Sequence, residues 1–218
     1  MRIRRRKNAA EILCQKYADF VVEEPNKLKG KWKEKLGYDK LYAEFGSGKG
    51  RFVTNKALNQ PEVLYVGVER EPEVLIKTAE KAATKLPKNL RLINTDVEFI
   101  TDAFAKGEVD RLFLNFSDPW PKRRHAKRRL TFCHFLDRYK QILAPGAEIH
   151  FKTDNRGLFE FSLNEFSACG WTMKNIRLDY QPEEDSDDIM TEYELKFREM
   201  GQPIYRLEAF YPNYEEKV

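Results

Sequence analysis

Short apolar runs alternate with amphipathic segments from about residue 40 onward. The apolar runs are rich in Leu, Val, Ile and Phe, as buried strands are, and the segments between them repeat apolar residues at helical spacing. The predicted strands are residues 41–45, 63–69, 90–96, 109–116, 147–154, 171–180 and 203–211, and the predicted helices are residues 51–59, 71–86, 97–107, 126–143, 157–169 and 191–200. This alternation predicts an α/β fold, a doubly wound and mostly parallel seven-stranded sheet with helices on both faces.

The N-terminal part of the chain has a different pattern. Residues 1–7 are a basic arm, in which five side chains are Arg or Lys. Asn8 is a candidate N-cap for an amphipathic helix, and a second, short helix carries Trp32. We therefore predict a basic arm and N-terminal helices over residues 1–38, followed by one main domain over residues 39–218.

The charge of the chain is unevenly distributed. The 218 residues are 41% hydrophobic and carry a formal net charge of only +4, which suits a folded domain. A second basic cluster nevertheless occupies residues 122–129, and acidic residues gather in residues 182–188. Two basic blocks on a folded body favour a polyanion partner, and the alternative is a solvated, well-charged surface.

Cysteine spacing and hydropathy exclude several classes of protein. Cys14, Cys133 and Cys169 are isolated and lack CxxC spacing, so we expect small, partly buried hydrophobic residues and neither a disulfide framework nor a zinc or other metal site. No apolar run approaches the ~18 residues that a membrane span needs. The basic N-terminus lacks the apolar stretch of a secretory signal. The sequence thus predicts a cytoplasmic protein without a membrane partner.

A glycine-rich turn follows the first predicted strand, in the sequence EFGSGKG. Its pattern is E-x-G-x-G-x-G over Glu44, Gly46, Gly48 and Gly50. It is not a Walker loop, because Lys49 is followed by Gly rather than Ser or Thr, and its third glycine comes one position too early for a dinucleotide-binding loop. Glycines at such a turn let a ligand approach the main chain without Cβ clashes.

Acidic residues stand at the ends of the next predicted strands, namely Glu69, Asp96 and Asp118. The carboxyl ends of parallel strands form the ligand crevice of such sheets, and the position of Glu69 suits a ribose diol. Each acid alone is explained as a solvent contact or a helix cap, but together with the glycine turn the acids indicate a binding site. A carboxylate-lined crevice disfavours a pyrophosphate ligand and favours a cationic nucleoside such as S-adenosylmethionine.

The fourth predicted strand is followed by Asp118-Pro119-Trp120-Pro121 and then by KRRHAKRR. With the glycine turn and the strand-end acids, this motif resembles the class I S-adenosylmethionine-dependent methyltransferases, which have a Rossmann-like fold. From about residue 40 onward the chain is similar to the bacterial tRNA (guanine-N7)-methyltransferases, and the similarity includes TDN at residues 153–155 and TEYE at residues 191–194. The resemblance implies methyl transfer from S-adenosylmethionine to N7 of a guanosine in the tRNA variable loop, giving 7-methylguanosine, by a monomer or homodimer.

The resemblance also implies which residues act. The implied catalytic residue is Asp118. The implied cofactor-binding residues are Glu44, Gly46, Gly48, Gly50, Glu69, Asp96 and Asp118. The implied substrate-binding residues are Lys122, Asp154, Thr191, Glu192, Tyr193 and Glu194. The implied RNA-binding residues are Arg124, His125, Ala126, Lys127, Arg128 and Arg129.

Elementary chemistry limits what Asp118 has to do. N7 of guanine is a nucleophile with an in-plane lone pair, so no base has to remove a proton, and the reaction asks mainly for in-line positioning. The Asp118 carboxylate then either stabilises the positive charge that moves onto the purine or holds the base by its N–H groups. Trp120 either stacks on the base or anchors the loop.

Local structure offers alternative explanations for two motifs. Thr191 and Glu194 fit a helix capping box. Residues 127–129 fit the exposed start of the helix predicted over residues 126–143. Positive charge at a helix N-terminus opposes the helix dipole, and a bound phosphate would relieve that cost.

Two other functions stay open at the level of the sequence. One is an amino-group methyltransferase that acts on adenine or on a protein glutamine, whose loops usually carry a neutral amide where this chain has Asp118. The other is an RNA-binding module without catalysis, which the intact glycine turn and strand-end acids disfavour.

Overall fold

The computed structural model describes residues 8–182 and 187–212. The predicted basic arm over residues 1–7 lies outside the described residues, and so does the central part of the acidic segment, residues 183–186.

Strands and helices alternate along most of the described chain. The strands are β1 Lys40–Phe45, β2 Val63–Glu69, β3 Leu90–Asn94, β4 Val109–Asn115, β5 Leu143–Thr153, β6 Thr172–Arg177 and β7 Tyr205–Phe210. The helices are α1 Ala9–Lys16, α2 Trp32–Leu36, α3 Arg51–Asn59, α4 Pro72–Lys85, α5 Ile100–Ala103, α6 Cys133–Ile142, α7 Arg156–Ala168 and α8 Glu192–Glu199. Short 3₁₀ turns occupy Pro25–Lys27, Val97–Phe99 and Arg123–Arg128.

The seven strands form one sheet in the order β3-β2-β1-β4-β5-β7-β6. The pairs β1–β2, β2–β3 and β4–β5 are parallel, and β7 runs antiparallel to both β5 and β6. The predicted fold class, a mostly parallel seven-stranded α/β sheet, is therefore confirmed. In the described part of the chain, no helix is long and apolar enough to cross a membrane.

The first of two compact units comprises Met1–Ala105 and contains β1, β2 and β3. Helix α1 packs on α4. The chain after α1 covers the free edge of β3, because Leu92 N donates to Phe20 O at 2.8 Å and Val22 N donates to Leu92 O at 2.9 Å. The Trp32 side chain is fully buried, and its Nε1 donates to Ala103 O at 2.8 Å. The division predicted at residue 38 remains a prediction.

The second compact unit comprises Lys106–Val218 and contains the other four strands. Helix α7 packs on β5 and β7 through an aromatic stack. The Phe159 ring lies 6.1 Å from the Phe151 ring and 5.2 Å from the Tyr205 ring, measured between centroids. These rings form part of the core that holds the carboxyl end of β5 in place.

The helix predicted over residues 126–143 is wrong in its first half. Arg123–Arg128 form 3₁₀ turns, and α6 begins only at Cys133. The backbone is extended at Arg129 (φ −69°, ψ 131°), where the guanidinium is bonded to the carbonyls of Pro119 and Trp120. Since the basic cluster does not lie at the N-terminus of α6, the argument that a bound phosphate offsets the helix dipole is also wrong.

The expectation of three unlinked cysteines is wrong as well. Cys133 and Cys169 form a disulfide with their Cα atoms 6.1 Å apart, and Cys14 is free. The two cysteines are 36 residues apart in sequence and meet because the start of α6 packs against the end of α7. Sequence spacing alone does not reveal such a pairing.

Candidate active site

The glycine turn makes a tight connection between β1 and α3. Gly46, Gly48 and Gly50 all have positive φ values, at 75°, 57° and 77°, where residues with a side chain are strained. The N–H groups of Gly46 and Ser47 donate to Val68 O at 2.8 and 3.0 Å, which fixes the turn to the end of β2. The turn therefore needs glycine for its backbone geometry, independently of any ligand.

Gly48 and Gly50 have different surroundings. A Cβ atom on Gly50 would overlap the Thr78 side chain of α4, so helix packing alone requires glycine there. A Cβ atom on Gly48 would meet only Gly46 O, at 3.8 Å, and would otherwise point into open space. Of these two glycines, Gly48 has the position that a ligand can approach.

Glu69, at the end of β2, is bonded to the glycine turn. Its Oε2 accepts from Gly48 N at 3.1 Å and its Oε1 accepts from Glu71 N at 3.0 Å. Burial raises the pKa of the Glu69 carboxyl, and the two backbone N–H groups oppose that shift. Because each carboxylate oxygen has two lone pairs, both can still accept a hydroxyl hydrogen bond.

The other acids of the first unit have local roles. Glu44 is buried in β1, with 2% of its surface exposed. Asp96 caps the 3₁₀ turn that follows β3, because its Oδ1 accepts from Glu98 N at 2.9 Å. Its other oxygen lies 4.0 Å from the Arg70 guanidinium. The helix-cap explanation of Asp96 is thus sufficient for its structure, and its role toward a cofactor remains a prediction.

These residues fit S-adenosylmethionine. Among the described residues, the buried Ser47 Oγ has no hydrogen-bond partner, and it lies in the glycine turn beside Gly48. The Glu69 carboxylate has spare acceptor capacity for a ribose diol, and acidic side chains suit a ligand that carries a sulfonium and an ammonium group. The cofactor itself would supply an electrophilic methyl group.

In the second unit, the loop after β4 has an unusual backbone. Phe116 and Trp120 have positive φ values of 51° and 41°, which are rare for bulky residues. Phe116 N donates to Lys152 O at 2.8 Å, so the loop leaves the sheet beside β5. Asp118 is exposed, and within the described residues its carboxylate has no hydrogen-bonding partner. The predicted catalytic carboxylate is therefore accessible and is positioned through its backbone.

The Trp120 ring is surrounded by residues of the basic cluster. The Arg128 guanidinium lies 4.9 Å from the ring centroid, and the His125 ring meets the Trp120 ring edge-on at 5.8 Å. One face of the indole is therefore already covered, which supports the interpretation of Trp120 as a loop anchor.

The predicted RNA-binding residues differ in exposure. Arg124, Lys127 and Arg128 are exposed, and so is Lys122, which is a predicted substrate-binding residue. His125, Ala126 and Arg129 are half-buried. The cluster thus presents cations to solvent, but not all of its members face outward.

The remaining predicted substrate-binding residues lie just after the carboxyl end of β5 and at the start of α8. Asp154 is half-buried, and burial raises the pKa of its carboxyl. Thr191 caps α8, because its Oγ1 accepts from Glu194 N at 3.0 Å. Glu192 is half-buried, whereas Tyr193 is 49% exposed and stacks on Phe197 with ring centroids 6.5 Å apart. Tyr193 is thus the exposed aromatic residue of this segment.

Glu194 belongs to a buried ion network that the sequence did not reveal. Its carboxylate is fully buried between Lys152 Nζ at 2.8 Å and the Arg198 guanidinium at 3.0 Å. Lys152 Nζ also lies 2.9 Å from both carboxylate oxygens of Asp188. The sequence signal for this network was Lys152, which interrupts the apolar pattern of a buried strand, because a buried lysine needs acidic partners.

Comparison with known proteins identifies the class. A family model described as "Putative methyltransferase" matches residues 39–207. The solved structure of the 16S rRNA methyltransferase KamB is 18% identical, with a TM-score of 0.64 over 82% of this chain and 92% of that chain. A 16S rRNA (adenine(1408)-N(1))-methyltransferase from Catenulisporales acidiphilia with cosubstrate SAM gives 18% identity and a TM-score of 0.61 over 90% of this chain and 95% of that chain. The fold is that of the class I methyltransferases.

Sequence relatives narrow the class to one family. The tRNA (guanine-N7)-methyltransferase of Streptococcus uberis is 49% identical over 97% of this chain and 100% of the relative. The Bacillus subtilis protein of the same name is 44% identical over 96% of this chain and 98% of the relative. The chain belongs to the tRNA (guanine-N7)-methyltransferase family.

Proposed function

We propose that this protein methylates N7 of a guanosine in the variable loop of tRNA, with S-adenosylmethionine as the methyl donor. The observation that carries the proposal is the 49% identity to a curated tRNA (guanine-N7)-methyltransferase over the whole length of that relative. A tRNA substrate also implies a location in the cytoplasm and no membrane partner. The proposal is compatible with either a monomer or a homodimer.

The chemistry asks for positioning rather than proton transfer. The lone pair of N7 forms the new bond to the methyl carbon while the carbon–sulfur bond breaks, so positive charge moves from sulfur to the purine and no proton is lost. In-line alignment is therefore the main requirement. The exposed Asp118 carboxylate would stabilise the charge on the purine or hold the base by its N–H groups.

We assign the cofactor to the glycine turn and the acids around it. Glu69 would accept the ribose hydroxyls, for which its two carboxylate oxygens have spare acceptor capacity. Gly46 and Gly48 would let the ligand approach the backbone, and Glu44 and Asp96 would add negative charge. Gly50 would contribute indirectly, because the lack of a Cβ atom there lets the turn lie against Thr78 of α4.

We assign tRNA to the second unit. Lys122, Asp154 and the segment Thr191–Glu194 would contact the nucleoside, with Tyr193 as the exposed aromatic. The exposed cations of residues 124–128 would contact phosphates, which position RNA without reading its sequence. Glu194 would act through the placement of α8, because its carboxylate is already paired.

Mass spectrometry of nucleosides tests the proposal. Unmodified tRNA transcript is incubated with the protein and methyl-labelled S-adenosylmethionine, digested to nucleosides and separated. Labelled 7-methylguanosine is the expected product. Label in methyladenosine, or binding of tRNA without any label transfer, would refute the assignment in favour of one of the two alternative functions.

A further inference from the structure

We infer that Arg129 is a positioning residue for the Asp118–Pro121 loop rather than a ligand for RNA phosphate. The inference rests on the proposed function, since it concerns the loop that carries Asp118. It separates Arg129 from the rest of the basic cluster, in which sequence alone makes all the cations look equivalent.

The side chain of Arg129 is held by the loop itself. Its Nε donates to Pro119 O at 3.0 Å, and one of its terminal nitrogens donates to Trp120 O at 3.1 Å. The guanidinium also lies 4.2 Å from the centre of the Phe161 ring of α7. The planar fork of an arginine can bridge two carbonyls in this way and stack on a ring at the same time.

The loop needs such a support. Trp120 combines a positive φ of 41° with a position directly before a proline, which further restricts the backbone. A strained residue of this kind persists only where its surroundings enforce it. Pro119 and Pro121 have no N–H group, so this part of the loop offers mainly carbonyls for hydrogen bonding. Arg129 bonds two consecutive carbonyls there.

The exposure of the cluster agrees with this division of roles. Arg129 is half-buried, whereas Arg124 and Arg128 are exposed. A side chain that binds RNA phosphate has to expose its charge to solvent. A side chain that bridges two carbonyls and covers a ring does not. The peptide carbonyls of Pro119 and Trp120 would lose their partner if Arg129 turned toward RNA.

Charge and geometry can be separated with two substitutions at Arg129. Arg129→Ala removes both, and Arg129→Lys keeps the charge but lacks the planar fork. Arg124→Ala is the matched control, because it removes an exposed cation from the same cluster. Each protein is assayed for kcat at saturating tRNA, for S-adenosylmethionine affinity, and for tRNA affinity at several salt concentrations.

We expect both Arg129 variants to lose roughly 10²-fold in kcat, as misplacement by about 1 Å can cause. Their tRNA affinity and its salt dependence should match the wild type. Arg124→Ala should instead raise KM and flatten the log–log salt slope by roughly one unit per lost phosphate contact. A flattened slope in Arg129→Ala with kcat within about twofold of wild type would overturn the inference.

A further variant keeps the inference testable if the Arg129 variants fail to fold. Phe161→Leu removes the ring under the guanidinium but leaves Arg129 and its charge in place. It should lower kcat without altering the salt slope, and an unchanged kcat would count against the inference. The tRNA-binding measurements do not depend on catalysis. If the wild-type protein forms no 7-methylguanosine, the proposed function is refuted. The salt dependence of tRNA binding then still decides whether Arg129 contacts RNA.

Discussion

Replacing Lys152 by Met should destabilise the second unit strongly. The lysine side chain is only 4% exposed and faces two acids that are 8% and 0% exposed, Asp188 and Glu194. Removing one partner from a buried ion pair costs about 3–5 kcal/mol, because the charge that remains stays buried without compensation. Here Asp188 loses its lysine, whereas Glu194 keeps Arg198. For a protein of this size, that cost corresponds to a fall in melting temperature of roughly 6–20 °C.

Thermal unfolding followed by circular dichroism measures the effect. The control is Arg156→Met, which breaks the exposed pair with Glu160 and should leave the melting temperature nearly unchanged. The double variant Lys152→Met with Asp188→Asn should recover part of the loss, since it neutralises the acid that loses its lysine partner. If Lys152→Met melts within about 2 °C of the wild type, the network does not stabilise the fold and the reasoning is refuted.

The same network predicts a dependence on pH. Burial raises the pKa of Asp188, but the Lys152 ammonium, the Tyr180 hydroxyl and the Arg206 guanidinium together outweigh burial, so the pKa lies below its usual value. The stabilising contribution is therefore complete above the ordinary carboxyl range and is lost as the pH falls through the folded-state pKa. The difference in stability between wild type and Lys152→Met should shrink in acid.

Gly48→Val should abolish S-adenosylmethionine binding in calorimetry, because the new side chain strains the turn at a φ of 57° and enters the space beside Glu69; wild-type affinity in this variant would contradict the cofactor assignment. Since burial raises the pKa of Glu69, cofactor binding should weaken on acidification at a higher pH than an ordinary Glu (~4.3) would give. Glu69→Gln should remove that dependence, and an identical pH profile would rule out a role for this carboxylate. Asp118→Ala should lower kcat by about 10²–10³-fold with a smaller effect on cofactor affinity; retention of half the activity would make Asp118 a loop residue only.

Features set by local sequence were predicted well. The apolar runs predicted the strands and the fold class, because few folds are compatible with an alternation of buried strands and amphipathic helices. The positive φ values of Gly46 and Gly48 agree with the glycine turn predicted from its spacing. Thr191 caps α8 as its motif indicated, because a cap involves only residues within one helical turn.

Features set by distant partners were missed. Lys152 finds Asp188 and Glu194 at separations of 36 and 42 residues, and no local pattern links them. Cys133 and Cys169 pair only because two helices pack together. The basic cluster has helix-forming composition, but 3₁₀ turns replace the expected helix where Arg129 is bonded to the loop before it.

The most direct test of the central claim is to remove the acceptor atom. A tRNA transcript and the same transcript made with 7-deazaguanosine in place of guanosine are each incubated with the protein and methyl-labelled S-adenosylmethionine. The deaza base has carbon at the position of N7 and therefore lacks the nucleophilic lone pair. We predict label in the normal transcript and none in the deaza transcript, and equal label in both would contradict methylation at guanine N7.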